Sequence, residues 1–99
     1  MVRLVRGKLA SDEFQARRGD REYQSIGQEY GIEVTILMRD FMLPIASVII
    51  DGDRIEPRTG DRIIDNGETF EITPPDENRP SVELPPGSSD WLVHTKRIK

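Results

Sequence analysis

The sequence has no cysteine, which excludes disulfides, thiolate catalysis and cysteine-ligated zinc and is compatible with a reducing compartment. It has one histidine, and no serine carries a recognisable nucleophile motif, so a catalytic triad is not expected. No run of residues approaches the ~18 consecutive apolar positions of a membrane helix. The opening Met-Val-Arg-Leu-Val-Arg lacks the apolar stretch of a signal peptide. No glycine-rich loop precedes a helix pattern, which removes the usual means of cradling a nucleotide phosphate. Aromatic residues make up 6% of the chain and hydrophobic residues 35%, so any core must be economical. The formal net charge of -4 argues against a surface given over wholly to nucleic acid or anionic membrane. What these absences leave is a soluble, intracellular, single-domain protein of 99 residues without a cofactor.

Charge is abundant. Charged residues are 32% of the chain, and arginine greatly outnumbers lysine, which suits planar pairing at interfaces. The most readable stretch runs from Glu56 to Ile72. Pro57 and Gly60 mark a turn, and Asn66-Gly67 separates Arg62-Ile63-Ile64-Asp65 from Glu68-Thr69-Phe70-Glu71-Ile72. Asn-Gly tolerates positive φ at both central positions of a type I′ turn, so this stretch predicts a β-hairpin. Alternation assigns Ile64, Phe70 and Ile72 to the core and Ile63 to the opposite face.

The rest of the chain follows the same grammar. Val2 to Leu9 predicts a first strand with a weak point or bulge at Gly7, and Ser11-Asp12-Glu13 has the chemistry to cap a short helix. Gln15 to Gly31 is polar, with Tyr23, Ile26 and Tyr30 its apolar anchors. It reads as a flexible excursion over residues 15–31, in the form of an extended hairpin with its tip near Gly27. Ile32 to Met38 alternates as a half-buried strand, with a bend or bulge at Arg39-Asp40 and a continuation through Phe41-Met42-Leu43. A single helical turn is expected after Pro44, then a strand at Val48-Ile49-Ile50 and a second hairpin signal at Asp51-Gly52. Thr73 to Pro80 is a stiff connection, Val82 and Leu84 a short strand, and Trp91 to Ile98 the last strand. This is an all-β pattern, a small barrel or sandwich of about six to seven short antiparallel strands with a long mobile loop. Ile36, Phe41, Ile50, Ile64, Phe70, Ile72 and Val93 are the expected core.

Candidate chemistry is sparse. His94, alone in a strand, reads as a hydrogen-bonded structural residue. Asp51, Asp53, Asp61 and Asp65 could be drawn together as a divalent-metal cluster, but Asp51 and Asp53 flank Gly52 as turn chemistry alone requires. Arg18-Gly19-Asp20 matches an integrin-binding tripeptide by chance. His94-Thr95-Lys96-Arg97-Ile98-Lys99 is a basic tail on an acidic chain, either solvated strand-end charge or a contact with an acidic partner or nucleic acid. No metal and no enzymatic set of acid, base and nucleophile is expected.

In order, Met38-Arg39-Asp40-Phe41-Met42-Leu43-Pro44, Val48-Ile49-Ile50-Asp51-Gly52, Pro57-Arg58-Thr59-Gly60-Asp61-Arg62-Ile63, Gly67-Glu68-Thr69-Phe70-Glu71-Ile72 and His94-Thr95-Lys96-Arg97-Ile98 resemble the head–tail joining (head completion, connector) proteins of tailed phages and prophages. The Pro-x-x-Gly-Asp-x-Ile…Gly-x-x-Phe-x-Ile pattern carries most of the likeness, which extends weakly to Ala16–Tyr23. The resemblance implies a non-catalytic structural subunit, monomeric when free, that joins a ring on the portal or on other connector proteins. It implies assembly in the bacterial host cytoplasm, a final place at the virion head–tail junction and proximity to DNA in the channel. Arg17, Arg18, Arg21, Tyr23, His94, Lys96 and Arg97 are the candidate assembly-interface residues. The competing reading is a small β-barrel module that binds a peptide or nucleic acid through its loops.

Overall fold

The computed structural model describes the backbone of residues 1–29 and 32–98, and the side chains of residues 1–19 and 36–98. Among the described residues the strands are β1 (Val2–Arg6), β2 (Leu9–Ala10), β3 (Arg17–Glu29), β4 (Ile32–Pro44), β5 (Ile49–Ile50), β6 (Asp53–Arg54), β7 (Arg62–Asp65), β8 (Glu68–Ile72), β9 (Val82–Glu83) and β10 (Asp90–Ile98). The fold is all-β and antiparallel, as its turn chemistry predicts. The main sheet runs β2-β1-β7-β8-β10-β4-β3 with β9 added on β10, while β5 and β6 pair separately. The path ends at β2 and β3, so the sheet is open rather than closed into a barrel. Two strands, β3 and β4, are 13 residues each, longer than the short strands expected.

Two hairpin turns form where the residue pairs demand them. Asp51 and Gly52 have φ of 53° and 81°, and Asn66 and Gly67 have φ of 53° and 80°. Positive φ at both central positions is the type I′ requirement, and its twist suits a two-residue hairpin. The Asn66-Gly67 turn fixes the register Asp65↔Glu68, Ile64↔Thr69 and Ile63↔Phe70. Directly opposed residues share a face, so Ile63 joins Phe70 inside at 0% exposure and Ile64 points out at 38%. This reverses the assignment made from alternation alone.

Other local expectations change for equally specific reasons. Gly7 does not bulge a long strand but ends it: with φ of 59° it turns the chain at Gly7-Lys8, and β2 folds back on β1. No helix starts at Ser11. Instead the Ser11 hydroxyl accepts the Leu4 amide at 3.0 Å, and Val2 and Phe14 exchange backbone hydrogen bonds at 2.8 and 2.9 Å. That bridge buries Phe14, which alternation did not single out. The bend expected at Arg39-Asp40 lies in the partner strand: β4 runs unbroken, while β3 shifts register between Arg18 and Glu22, opposite Asp40. A Cβ at Gly19 would stand 2.8 Å from the Asp40 Cβ, so only glycine lets the strands approach here. The β3–β4 ladder continues to Glu29↔Ile32, which places the reversal beyond Gly27. The excursion is thus paired backbone over most of its length. After Pro44 the chain makes the expected single turn, a 3-10 helix at Ile45–Ser47.

Val2, Leu4, Phe14, Phe41, Leu43, Val48, Ile50, Ile63, Phe70, Ile72 and Val93 form the core cluster. Phe41 and Phe70 meet edge to face with centroids 5.3 Å apart. Ile36 is half-buried and outside that cluster. It pairs with Ser25, beyond Lys96↔Met38 where the β10 ladder on β4 stops.

Candidate functional site

β10 is the strand around which the polar chemistry gathers. Asp90 to Lys96 pair with β4 on one edge. The other edge is divided between β9 at Leu92 and Val93 and β8 from Thr95 to Ile98. A strand hydrogen-bonded on both edges and covered on both faces buries consecutive residues, and Val93, His94 and Thr95 are 0%, 1% and 0% exposed.

His94 lies on the face opposite the hydrophobic cluster, between two carboxylates. Its Nδ1 is 2.8 Å from Asp40 Oδ1 and its Nε2 is 2.6 Å from Glu83 Oε2. A neutral imidazole has one N–H, so both contacts are hydrogen bonds to carboxylates only when the ring carries both protons. The hydrogen bond from His94 is the main reason the Glu83 carboxyl sits below its ordinary value; the charges of His94 and Arg79 add to this, and partial burial opposes it. The arrangement fastens β4, β10 and β9 together. The two ring nitrogens face opposite ways, so this group is a brace and not a chelating set.

On the inner face Asp65, 6% exposed, receives Arg18 Nε at 2.9 Å and Arg39 Nη1 at 3.6 Å. The Arg39 guanidinium lies 4.6 Å from the centroid of the Phe70 ring, a cation–π geometry, and its carbonyl accepts the Thr95 hydroxyl at 2.6 Å. Asp61 is gripped by Arg6, whose Nε and Nη2 lie 2.9 and 2.8 Å from its two oxygens. That contact pushes the Arg6 pKa further above its ordinary value. The Arg58 amide donates to the same carboxylate at 2.9 Å. Asp61 and Asp65 are therefore held by different arginines, and Asp51 and Asp53 sit at the β5–β6 turn. Among the described residues no set of three or more histidine, aspartate or glutamate side chains is placed to hold a metal.

The candidate interface residues separate into groups. Arg17 and Arg18 border a surface cleft of about 570 Å³ with Gly19, Asp40, Met42, Arg79 and Leu92. Arg17 is 74% exposed and pairs with Asp90 at 2.8 Å. Lys96 and Arg97 lie at the other end of β10, paired loosely to Glu71 at 3.7 Å and Glu68 at 3.6 Å. Lys96 is four positions beyond Leu92, about 13 Å along a strand, so the structure does not bring the two basic groups together. Pairs this exposed contribute roughly 0–1 kcal/mol each, so a partner can displace them at little cost. His94 is buried within the subunit and braces the cleft from beneath through Asp40. The side chains of Arg21 and Tyr23 lie outside the described residues. Glu83 is not singled out by the sequence, which marks Asp65 only as a candidate metal ligand and Arg39-Asp40 only as a bend; each owes its actual role to strand register.

Compared with models of known protein families, residues 2–99 match that of a phage head–tail joining protein. No curated protein and no solved structure matches the chain.

Proposed function

Because the chain belongs to the phage head–tail joining family, we propose that it is a non-catalytic connector subunit that adds a ring to the portal-bearing head. The family places it among proteins that act with other head and tail components at the virion head–tail junction. Among the described residues no helix is long and apolar enough to cross a membrane. The finer reading joins the family to one observation, the β3–β4 hairpin. The ladder of β4 on β10 stops at Met38, while its ladder on β3 runs on to Ile32. The hairpin therefore leaves the sheet as a two-stranded ribbon with exposed Arg17 and Arg18 at its base. A ribbon supported on one side is marginal by itself and gains order from a neighbour.

In this reading the subunit is a monomer in the host cytoplasm. Its ribbon is mobile there and is ordered by the portal or by adjacent subunits, with Arg17, Arg18 and Arg21 meeting acidic surfaces. Lys96 and Arg97 supply further contacts, and the channel brings DNA close. Electron microscopy of purified portal complexes, with and without this protein, tests the reading. An added ring coaxial with the portal is the expected result, from protein that sediments as a monomer beforehand. Portal images unchanged at saturating protein, or a stable ring formed by the protein alone, would overturn it.

A further inference from the structure

The charged side chains that make no hydrogen bond or ion pair within the subunit are distributed unevenly. Among the described residues, Lys8, Arg54, Arg58 and Arg62 are exposed cations of this kind, and Asp12, Asp51, Asp53, Glu56 and Glu77 are exposed anions. β1 connects two of the places where they collect. At its Arg6 end, the Arg6 guanidinium holds the Asp61 carboxylate and, through Nη2 at 2.8 Å, the Glu56 carbonyl. These contacts pin the turn bearing Arg58 against β1. Lys8 lies in the turn just after Arg6, and Arg62 pairs with Val5. Asp61 is consumed by Arg6, which leaves Lys8, Arg58 and Arg62 in excess over Glu56.

Along the 10–14 segment, which folds back beside β1 from Val5 to Val2, the charge is reversed. A cleft of about 570 Å³ lies between the 10–14 segment and the β5–β6 turn, lined by acidic Asp12, Glu13 and Asp51 and by apolar Ala10, Ala46 and Ile49, among others. Glu13 is shared only loosely with Arg3 at 3.6 Å, and Ile49 is 38% exposed. Asp53 follows the turn, with Arg54 the cation beside it. β1 itself is short, about 13 Å from Val2 to Arg6, and the chain turns back at Gly7-Lys8 so that Ala10 lies opposite Val5. Among the described residues Lys8, Arg58 and Arg62 form no ion pair with Asp12, Glu13 or Asp51 within the subunit, so both groups remain available to another molecule.

We propose that the Lys8–Arg58–Arg62 end of one copy docks on the Asp12–Asp51 cleft of the next. This rests on the ring reading above and supplies its subunit-to-subunit contact. The aliphatic stems of the cations would cover Ala46 and Ile49 while their heads meet the carboxylates. The contact joins two different patches, so it is head-to-tail and generates a ring when its rotation closes. Exposed pairs of this kind are individually weak, which agrees with a free monomer that assembles only on a template.

The cysteine-free chain permits a direct test by pairing Lys8→Cys protein with Ser47→Cys protein at high concentration and low ionic strength, with dissolved oxygen and a copper catalyst as the oxidant. The disulfide between the two different variants should form about tenfold faster than either homodisulfide, the scale of electrostatic orientation. Salt should erase the preference. So should Arg58→Glu with Arg62→Glu in the Lys8→Cys partner, while adding Asp12→Lys with Asp51→Lys to the Ser47→Cys partner should restore it. Equal rates for mixed and like pairs, or indifference to both charge reversals, would overturn the contact. The same pair applied to portal complexes separates the two ideas. A ring without the mixed disulfide rejects this contact alone, and the mixed disulfide in solution without a portal ring rejects the ring reading alone.

Discussion

The sheet around β8 and β10 and the outer part of the β3–β4 hairpin are built from the same backbone ladder, yet they are supported very differently. Phe70 on β8 is fully buried, pairs with Ile63, meets Phe41 edge to face and carries Arg39 over its ring. Among the described residues, the backbone beyond Tyr23↔Met38 pairs only within the hairpin's own two strands. The hydrogen-bond pattern of a strand thus says little about its stability; the number of layers packed on it says more. The first region carries the hydrophobic core, and the second is the part that the proposed assembly would complete.

Substitutions should separate the two regions by the size of their effects. Phe70→Ala should cost ~3–5 kcal/mol, through lost transfer energy and the cavity left between Phe41 and Ile72. In a small domain stable by roughly 5–15 kcal/mol that is a large fall in melting temperature, and a shift of only a degree or two would break the comparison. His94→Leu comes next, at roughly 1–3 kcal/mol, because it removes the ring that links Asp40 to Glu83 and leaves Glu83 with only the exposed Arg79 at 3.3 Å among its described partners. The same variant should change the acid limb of stability. Glu83 has its pKa lowered in the folded state, so its contribution is present above the ordinary value of 4.5 and is lost as pH falls through the lower folded value. Without His94 that loss should shrink, and urea melts at successive acidic pH values would show it. A slope identical to the parent would mean that the brace does not exist in solution.

The smallest effect belongs to the ribbon. Tyr23 pairs with Met38, so residues 24–37 can be replaced by Asn-Gly to close a short hairpin. That deletion should change stability by no more than ~1 kcal/mol, since it removes a marginal two-stranded segment. It should also abolish ring formation on the portal and assembly of infectious particles. A strongly destabilised variant would show that the ribbon belongs to the folding unit, and normal assembly would remove its interface role.

The parts of this contrast that were legible in the sequence are those set by adjacent residues. Asp51-Gly52 and Asn66-Gly67 declare their turns because two consecutive positions must accept positive φ. The inversion of Ile63 and Ile64 was also decidable, since counting back across a two-residue turn places Phe70 opposite Ile63. Alternation within each strand, taken separately, cannot fix which face the two strands share. The brace on His94 was not legible: Asp40 reaches it across 54 residues of chain, through a β4–β10 register that no local signal specifies. Phe14 was hidden for a related reason, being buried by a single bridge to Val2 outside any regular strand. Arg17 and Arg18 stood out as charge, but their separation from Lys96 and Arg97 emerges only when β10 is laid between β4 and β8.

Hydrogen exchange, compared between the free subunit and the portal-bound protein, tests the division most directly. In the free subunit the amides of Gln24–Glu29 and 32–37 should exchange orders of magnitude faster than those of β8 and β10. On the portal the ribbon amides should become protected, with β8 and β10 changing little. Ribbon amides already as slow as those of β8 in the free subunit, or a ribbon that exchanges equally fast in both states, would contradict the account.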